Sequence, residues 1–322
     1  MHSFSPWALA ASCATILALS PCASRADTVE ARFRAIYTAE WKWRDEQFPD
    51  NEDAQRPIQD HLPKTDPQTQ AMRLRRWQDV LRTLDAIPTA ELSAPEKLNY
   101  AVYRPQIETL IASQKFRDYE MPANADTTFW TDLGYTARRP YRTVQDYRNW
   151  ISQMKDIPRY FREQTDEMRR GLQRGFTPPR VTLTGRDASI TAVTEAAPEA
   201  SLFYAPFRDM PGVPQAEQIT LRQQAINIIR DSVQPAYREL LRFMRTEYLP
   251  GTRTTLAAYD LPDGRAYYQA KIREYTTLDQ EPAAIHAFGE SEVGRLHEQM
   301  LAVMKESGFT GDFPAFLKFL RT

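Results

Sequence analysis

Between Thr143 and Gly175 the chain reads TVQDYRNWISQMKDIPRYFREQTDEMRRGLQRG. Tyr147, Trp150, Ile151, Met154, Ile157, Tyr160, Phe161 and Met168 recur mostly at spacings of three and four, which places them on one stripe of a long helix facing a core. Thr143 stands where a helix cap belongs. Gly171 and Gly175 stand where a helix ends, because glycine enters left-handed backbone at the lowest cost.

The same period runs through most of the remaining chain. Val29, Phe33, Ile36, Tyr37 and Trp41 predict a first helix over 27–48. The segment 49–67 is polar and broken by Pro57, Pro63 and Pro67, so it reads as a loop. Met72, Leu74, Trp77, Leu81 and Leu84 then predict a helix over 68–87. Ser93, Pro95 and Glu96 have the order of a capping box opening a helix over 96–119, with Pro105 as a place for it to bend. Residues 121–141 carry too much Asn, Asp, Thr, Gly and Pro for a long helix and read as an ordered connector in which Phe129, Trp130, Leu133 and Tyr135 must still pack against something.

Beyond Gly175, Val181-Thr-Leu-Thr184 is expected as one short strand or extended segment. Pro206 to Pro214 is either a boundary between lobes or a loop. Ile219, Ile226, Ile229, Val233, Tyr237, Leu240, Leu241, Met244 and Leu249 predict another long helix, bent at Pro235. Asp263-Gly264 supplies the positive φ of a tight turn. Helices are expected over 265–275, 282–307 and from 313. The fold class is therefore all-α or nearly so: long helices in an irregular helical bundle, with at most one or two short strands.

Composition agrees. Only 11 Gly stand against 23 Pro in 322 residues, which argues for helices punctuated by proline. Lys+Arg 41 against Asp+Glu 42 leaves no surplus of positive charge to attract nucleic acid or anionic lipid. Residues 7–20 form an apolar stretch too short to anchor in a bilayer, followed by Ser24-Arg25-Ala26. This reads as a secretory signal peptide, 1–26, ahead of one helical domain, 27–322, with no transmembrane anchor. A lipid anchor on Cys22 is disfavoured by Pro21. Cleavage after Ala26 removes both cysteines, Cys13 and Cys22, and leaves neither disulfide nor thiolate chemistry; a periplasmic or secreted location follows.

No catalytic constellation emerges. His297-Glu298 begins a zinc-helix pattern, but Leu301 occupies the place of its second histidine. His286 and Glu290 lie one turn apart. His297, at about 1.5 Å of rise per residue, lies roughly 16 Å further along the same helix and cannot share an ion with them. They read as surface residues, and no metal ligand or cofactor is assigned. Gly289-Glu-Ser291-Glu-Val-Gly294 is one residue too long for a nucleophile elbow and falls mid-helix. Ser152-Gln-Met-Lys155 matches Ser-x-x-Lys without the partner motifs of the acyl-transfer enzymes that use it. Tyr267, Tyr268 and Tyr275 flank the turn at Leu261–Gly264. They are the substrate-binding candidates, since tyrosines beside a loop offer a peptide or glycan both a flat face and a hydroxyl; the alternative is that they are core residues.

Tyr248-Leu-Pro250, Leu261-Pro-Asp-Gly264, Tyr267-Tyr268, Tyr275-Thr-Thr277, Ile285-His286, Gly289 and Glu292, closing with Gly308-Phe309 and Phe313 to Arg321, resemble as an ordered set the bacterial domain of unknown function 885 family. Gly171, Gly175 and Pro178-Pro179-Arg180 are similar too, while the match over 27–141 is looser. The resemblance implies an exported, mainly helical protein about twice this length, distantly related to zinc metallopeptidases, whose zinc-binding helix lies in a C-terminal half. Nothing here matches that helix, and Phe316, Leu317, Phe319 and Leu320 leave an apolar face at the end. The expectation is an N-terminal, substrate-cleft portion, inactive without the missing C-terminal half, with zinc only in a full-length relative. The alternative is a complete, non-catalytic helical binding or scaffold protein.

Overall fold

A computed structural model describes residues 28–48 and 55–321; the expected signal segment and the first six residues of the loop after residue 48 lie outside the described residues. The chain is all-α, with one isolated bridge, between Ala123 and Thr128, as the sole β pairing among the described residues. Helices α1 (Val29–Gln47), α2 (Pro67–Asp85) and α3 (Ala94–Phe116) build a first core on Phe33, Trp77, Leu84 and Ile107. In its middle lies a fully buried carboxylate, Glu40. It accepts hydrogen bonds from Trp77 Nε1 at 2.9 Å and the Tyr103 hydroxyl at 3.0 Å, and pairs with Arg44 at 3.3 Å. A buried charge held this way is satisfied rather than orphaned.

Helices α4 (Phe129–Ala137), α5 (Val144–Arg174), α6 (Ala188–Glu195), α7 (Gln215–Ile228), α8 (Gln234–Phe243) and α9 (Leu249–Gly251) surround a second, larger core. The predicted stripe of α5 is its axis. Trp150 is wholly buried, stacks on Phe203 at 5.7 Å and donates from Nε1 to the Phe203 carbonyl. Thr143 caps α5 in a reciprocal box with Asp146, and Gly175 ends it at φ 77°. Gly171 lies inside the last turn, where a Cβ would meet the carbonyl oxygens of Glu120 and Phe176 at 2.7 and 2.8 Å.

Four expectations change. Val181–Thr184 is no strand: Arg180–Leu183 is a 3₁₀ turn, and the Arg180 side chain ties it to the carbonyls of Pro250 and Thr252. Ser93 makes no side-chain cap to its helix, because α1 takes both partners of the box. Glu30 accepts from the Ser93 N–H at 2.9 Å, and Arg34 donates to Glu96 at 2.6 Å. The connector over 121–141 contains α4, nine residues long, because Phe129, Trp130 and Leu133 can all be buried from one short helix; Tyr135, expected with them, is instead exposed and packs under the Arg138 guanidinium. Pro206–Pro214 is no lobe boundary: Pro206 belongs to a 3₁₀ helix, Leu202–Phe207, and Phe207, Met210 and Val213 enter the second core.

The long helix expected from 216 is a continuous run from Gln215 to Gly251 interrupted by π-helical turns at Ile229–Val233 and Met244–Tyr248. Pro235 and Pro250 each follow one of these turns by two residues. Proline lacks the N–H for the regular bond four residues back and clashes with that carbonyl, and a widened turn accommodates both defects without breaking the rod.

Helices α10 (Gly264–Thr276), α11 (Pro282–Glu306) and α12 (Phe313–Phe319) complete the chain. Among the described residues no helix is long and apolar enough to cross a membrane.

Candidate functional site

The turn before α10 is set by two residues. Asp263 adopts φ 55°, and Gly264 lets the backbone approach so closely that a Cβ would lie 2.4 Å from the Ala258 carbonyl oxygen. This aims Tyr267 into the body of the protein. Its ring meets Phe116 at 5.5 Å and Phe176 at 5.3 Å, both edge-on, with the Lys271 ammonium 5.5 Å from its centre. Burial first, and the Asp118 charge second, push the Tyr267 hydroxyl up to about 12, so it stays protonated at neutral pH. Tyr268 is exposed and packs edge-on against Tyr259 at 5.8 Å; Tyr275 is 80% exposed. The three tyrosines thus face three different surroundings on one helix, and the structure does not bring them to a common point.

Lys271 links α10 to the rest of the molecule. Its Nζ donates to Asp118 Oδ2 and Glu274 Oε2, each at 2.7 Å. Burial alone would lower the ammonium, but these hydrogen bonds outweigh it and hold the lysine charged. Burial pushes the Asp118 carboxyl up, against the pull of Lys271.

Asp118 also faces inward, onto a cavity of about 340 Å³ where the two cores meet. Helix α2 contributes Gln70, Arg73 and Trp77 to it, α3 Ser113 and Gln114, and α5 Gln164. Arg73 is 1% exposed. Its Nη2 donates to the carbonyls of Lys64 at 3.0 Å and Gln47 at 3.3 Å, and its Cζ lies 4.1 Å from the Phe48 ring centre. Arg73 stands four residues before Trp77, seven before Val80 and eleven before Leu84, so helical phase places it on the buried stripe of α2, and only its charge argues for the surface. That phase is the signal available in the sequence, and the expected stripe of Met72, Leu74, Trp77, Leu81 and Leu84 passes over it because arginine is polar. A second, more open hollow of about 610 Å³ lies between α1 and α3, lined by Tyr37, Trp41, Leu98, Val102 and Tyr103.

The remaining sequence candidates are on surfaces. His286 Nε2 sits 3.4 Å from Glu290 Oε1, with both side chains more than two-thirds exposed. His297 packs edge-on against Phe313, and His61 Nδ1 pairs with Asp60. A zinc site draws three or four of its ligands from the protein. Among the described residues no group of three His, Cys, Asp or Glu side chains could hold a metal ion. These residues therefore do not fit a zinc centre. Ser152 is half-buried on α5 and Lys155 exposed; Gly289 and Gly294 lie in the middle of α11 with open space where a Cβ would project.

Residues 50–322 match the model of a family described as "Bacterial protein of unknown function (DUF885)". No curated protein matches the chain. Among solved structures, the crystal structure of a "putative lipoprotein" from Colwellia psychrerythraea superposes with a TM-score of 0.75 at 15% sequence identity, covering 88% of this chain and 52% of that one. The likeness is one of fold, and this chain spans about half the length of that relative.

Proposed function

Because the chain belongs to the DUF885 family of bacterial proteins, we propose that it is the substrate-cleft wall of an exported, metallopeptidase-like protein, and that a second unit packed against α11 and α12 supplies the metal and the bond-breaking chemistry. The observation that carries this reading is the state of α11. It is 25 residues long and has no buried residue. Phe288, Val293 and Val303 are each more than half exposed, as are Phe319 and Leu320 on and just after α12. Apolar side chains displayed together on one hairpin mark an interaction surface. A chain about twice as long in the structural relative is consistent with a further unit being available to cover it.

On this reading the part described here binds and orients a peptide, and no proton transfer or nucleophilic attack is assigned to its residues. Tyr268 and Tyr275, exposed beside the hairpin in sequence, are its candidate peptide contacts, and Tyr267 positions the helix that bears them. Export and a periplasmic location belong to the same proposal.

The test is to purify this chain alone and together with the polypeptide encoded downstream of residue 322. Alone it should bind no stoichiometric zinc and cleave no oligopeptide, and the amides of α11 should exchange with solvent far faster than those of α5. With the second unit, α11 should become protected and chelator-sensitive cleavage should appear. Retention of one zinc per chain with chelator-sensitive cleavage by this chain alone would overturn the proposal.

A further inference from the structure

The junction cavity contains a cation with no counter-ion among the described residues. Arg73 forms no ion pair among the described residues, and its Nε has no hydrogen-bond partner. The two carboxylates that act on it from a distance, Asp66 and Glu163, are already committed. Asp66 caps α2 through the Thr69 N–H and hydroxyl, at 3.0 and 2.7 Å. Glu163 accepts from the Thr65 N–H at 2.8 Å and from Arg159 at 2.9 Å. The nearest neighbour on the Nη1 side, Gln70 Oε1, stands at 3.5 Å, the outer limit of a hydrogen bond. Burial pulls the guanidinium down to about 10, so it remains charged at neutral pH. A buried charge whose hydrogen-bond partners are all neutral is costly, and a bound anion is one way to offset that cost.

The walls of the cavity select the ligand. Gln70, Gln114, Gln164 and Ser113 offer neutral donors and acceptors of the kind that satisfy an amide, while Trp77, Leu110 and Phe48 give it an apolar side. Asp118, across the same cavity, opposes a second negative charge on whatever enters. A dianion such as phosphate meets both the arginine and that carboxylate; a single carboxylate neutralises Arg73 and leaves the remainder of the ligand to the amide-lined wall. The volume, about 340 Å³, lies at the small end of ligand pockets.

We propose that the cavity between α2, α3 and α5 is a binding site for a monocarboxylate ligand, the C-terminal end of a short peptide or a small organic acid, whose carboxylate is read by Arg73. The site stands on these side chains alone and holds whether or not the chain forms part of a peptidase cleft.

Calorimetry and thermal-shift titration on the whole purified protein test it, with N-acetyl-trialanine as the free acid, its C-terminal amide and sodium acetate as probes. The free acid should bind at least tenfold more tightly than the amide and raise the melting temperature in a dose-dependent way. Acetate matching the peptide acid would assign the site to small organic acids, and a clear preference for the peptide acid would assign it to peptide ends. Arg73→Gln should abolish binding. Because Arg73 also ties the 47–64 backbone, Ser113→Phe serves as a second variant: it keeps the arginine, fills the cavity from α3 and should abolish binding while circular dichroism stays native. The proposal fails if acid and amide bind equally, if neither binds, or if the Ser113→Phe protein still takes the acid with unchanged affinity.

Discussion

Helices α5 and α11 are the two longest uninterrupted α-helices among the described residues, 31 and 25 residues, and they have opposite fates. Thirteen residues of α5 are buried, and every apolar residue of its predicted stripe is among them. None of α11 is buried, although Phe288, Val293, Leu296, Met300 and Leu301 give it as many large apolar side chains as a core helix carries. Helical periodicity therefore states which residues want cover. Whether they have it depends on what the rest of the chain places opposite them. For α5 that is α4, α7 and α8, with Phe203 of the 3₁₀ helix at Leu202–Phe207 stacked on Trp150; for α11 it is little beyond α12, with which it forms the terminal hairpin.

The contrast makes its strongest prediction for large side chains. Trp150→Ala should remove about 3–5 kcal/mol of stability, since it empties a site with a stacked ring and a satisfied indole N–H. Leu296→Ala in α11 should stay within about 0.5 kcal/mol of wild type. Urea denaturation of the two variants side by side checks both values, and a loss above about 2 kcal/mol for Leu296→Ala would show that α11 is covered in solution.

Glycine gives a sharper comparison because the sign reverses. Gly171→Ala in α5 must push against two backbone carbonyls and should cost about 1–3 kcal/mol. Gly289→Ala in α11 meets open space and removes a poor helix former, so it should stabilise by about 0.5–1 kcal/mol. Melting temperatures moving in opposite directions are the expected outcome.

A smaller effect concerns protons. Burial, opposed by Arg170 and reinforced by Glu120, pushes the Glu167 carboxyl of α5 above its ordinary value near 4.5. A carboxyl raised on folding favours the folded state while it is protonated, and that advantage is lost as pH rises through the raised value. Glu167→Gln should therefore match wild type below pH 4.5 and gain on it as pH climbs from there towards neutrality, as read by urea midpoints across that range. The smallest effect is Glu290→Gln on α11, where an exposed pair with His286 should leave stability within about 0.5 kcal/mol at any salt concentration.

Much of the architecture was legible from residue order. The stripe from Tyr147 to Met168 is buried as read, Thr143 and Gly175 cap that helix, and Pro235 falls where the next rod deforms. What proved illegible shares one cause. Ser93 and Glu96 have the right spacing for a box, but α1 offered each a better partner; Val181–Thr184 looks extended until Arg180 draws it against Pro250 and Thr252. Tyr267 and Tyr268 are neighbours in sequence, yet one is held between two phenylalanine rings and the other lies at the surface.

Residue order by itself determined the class of fold, the limits of the long helices and the absence of a zinc-helix pattern, because helix period, proline and glycine act within a few residues of one another. Tertiary structure alone decided that a cavity opens beside Arg73, that Asp118 joins α10 to the junction of two cores, and that α11 stands uncovered. Those facts depend on which surfaces meet across some 40 to 150 residues of sequence, as Gln114 with Gln70 or Lys271 with Asp118, and no local pattern carries that information.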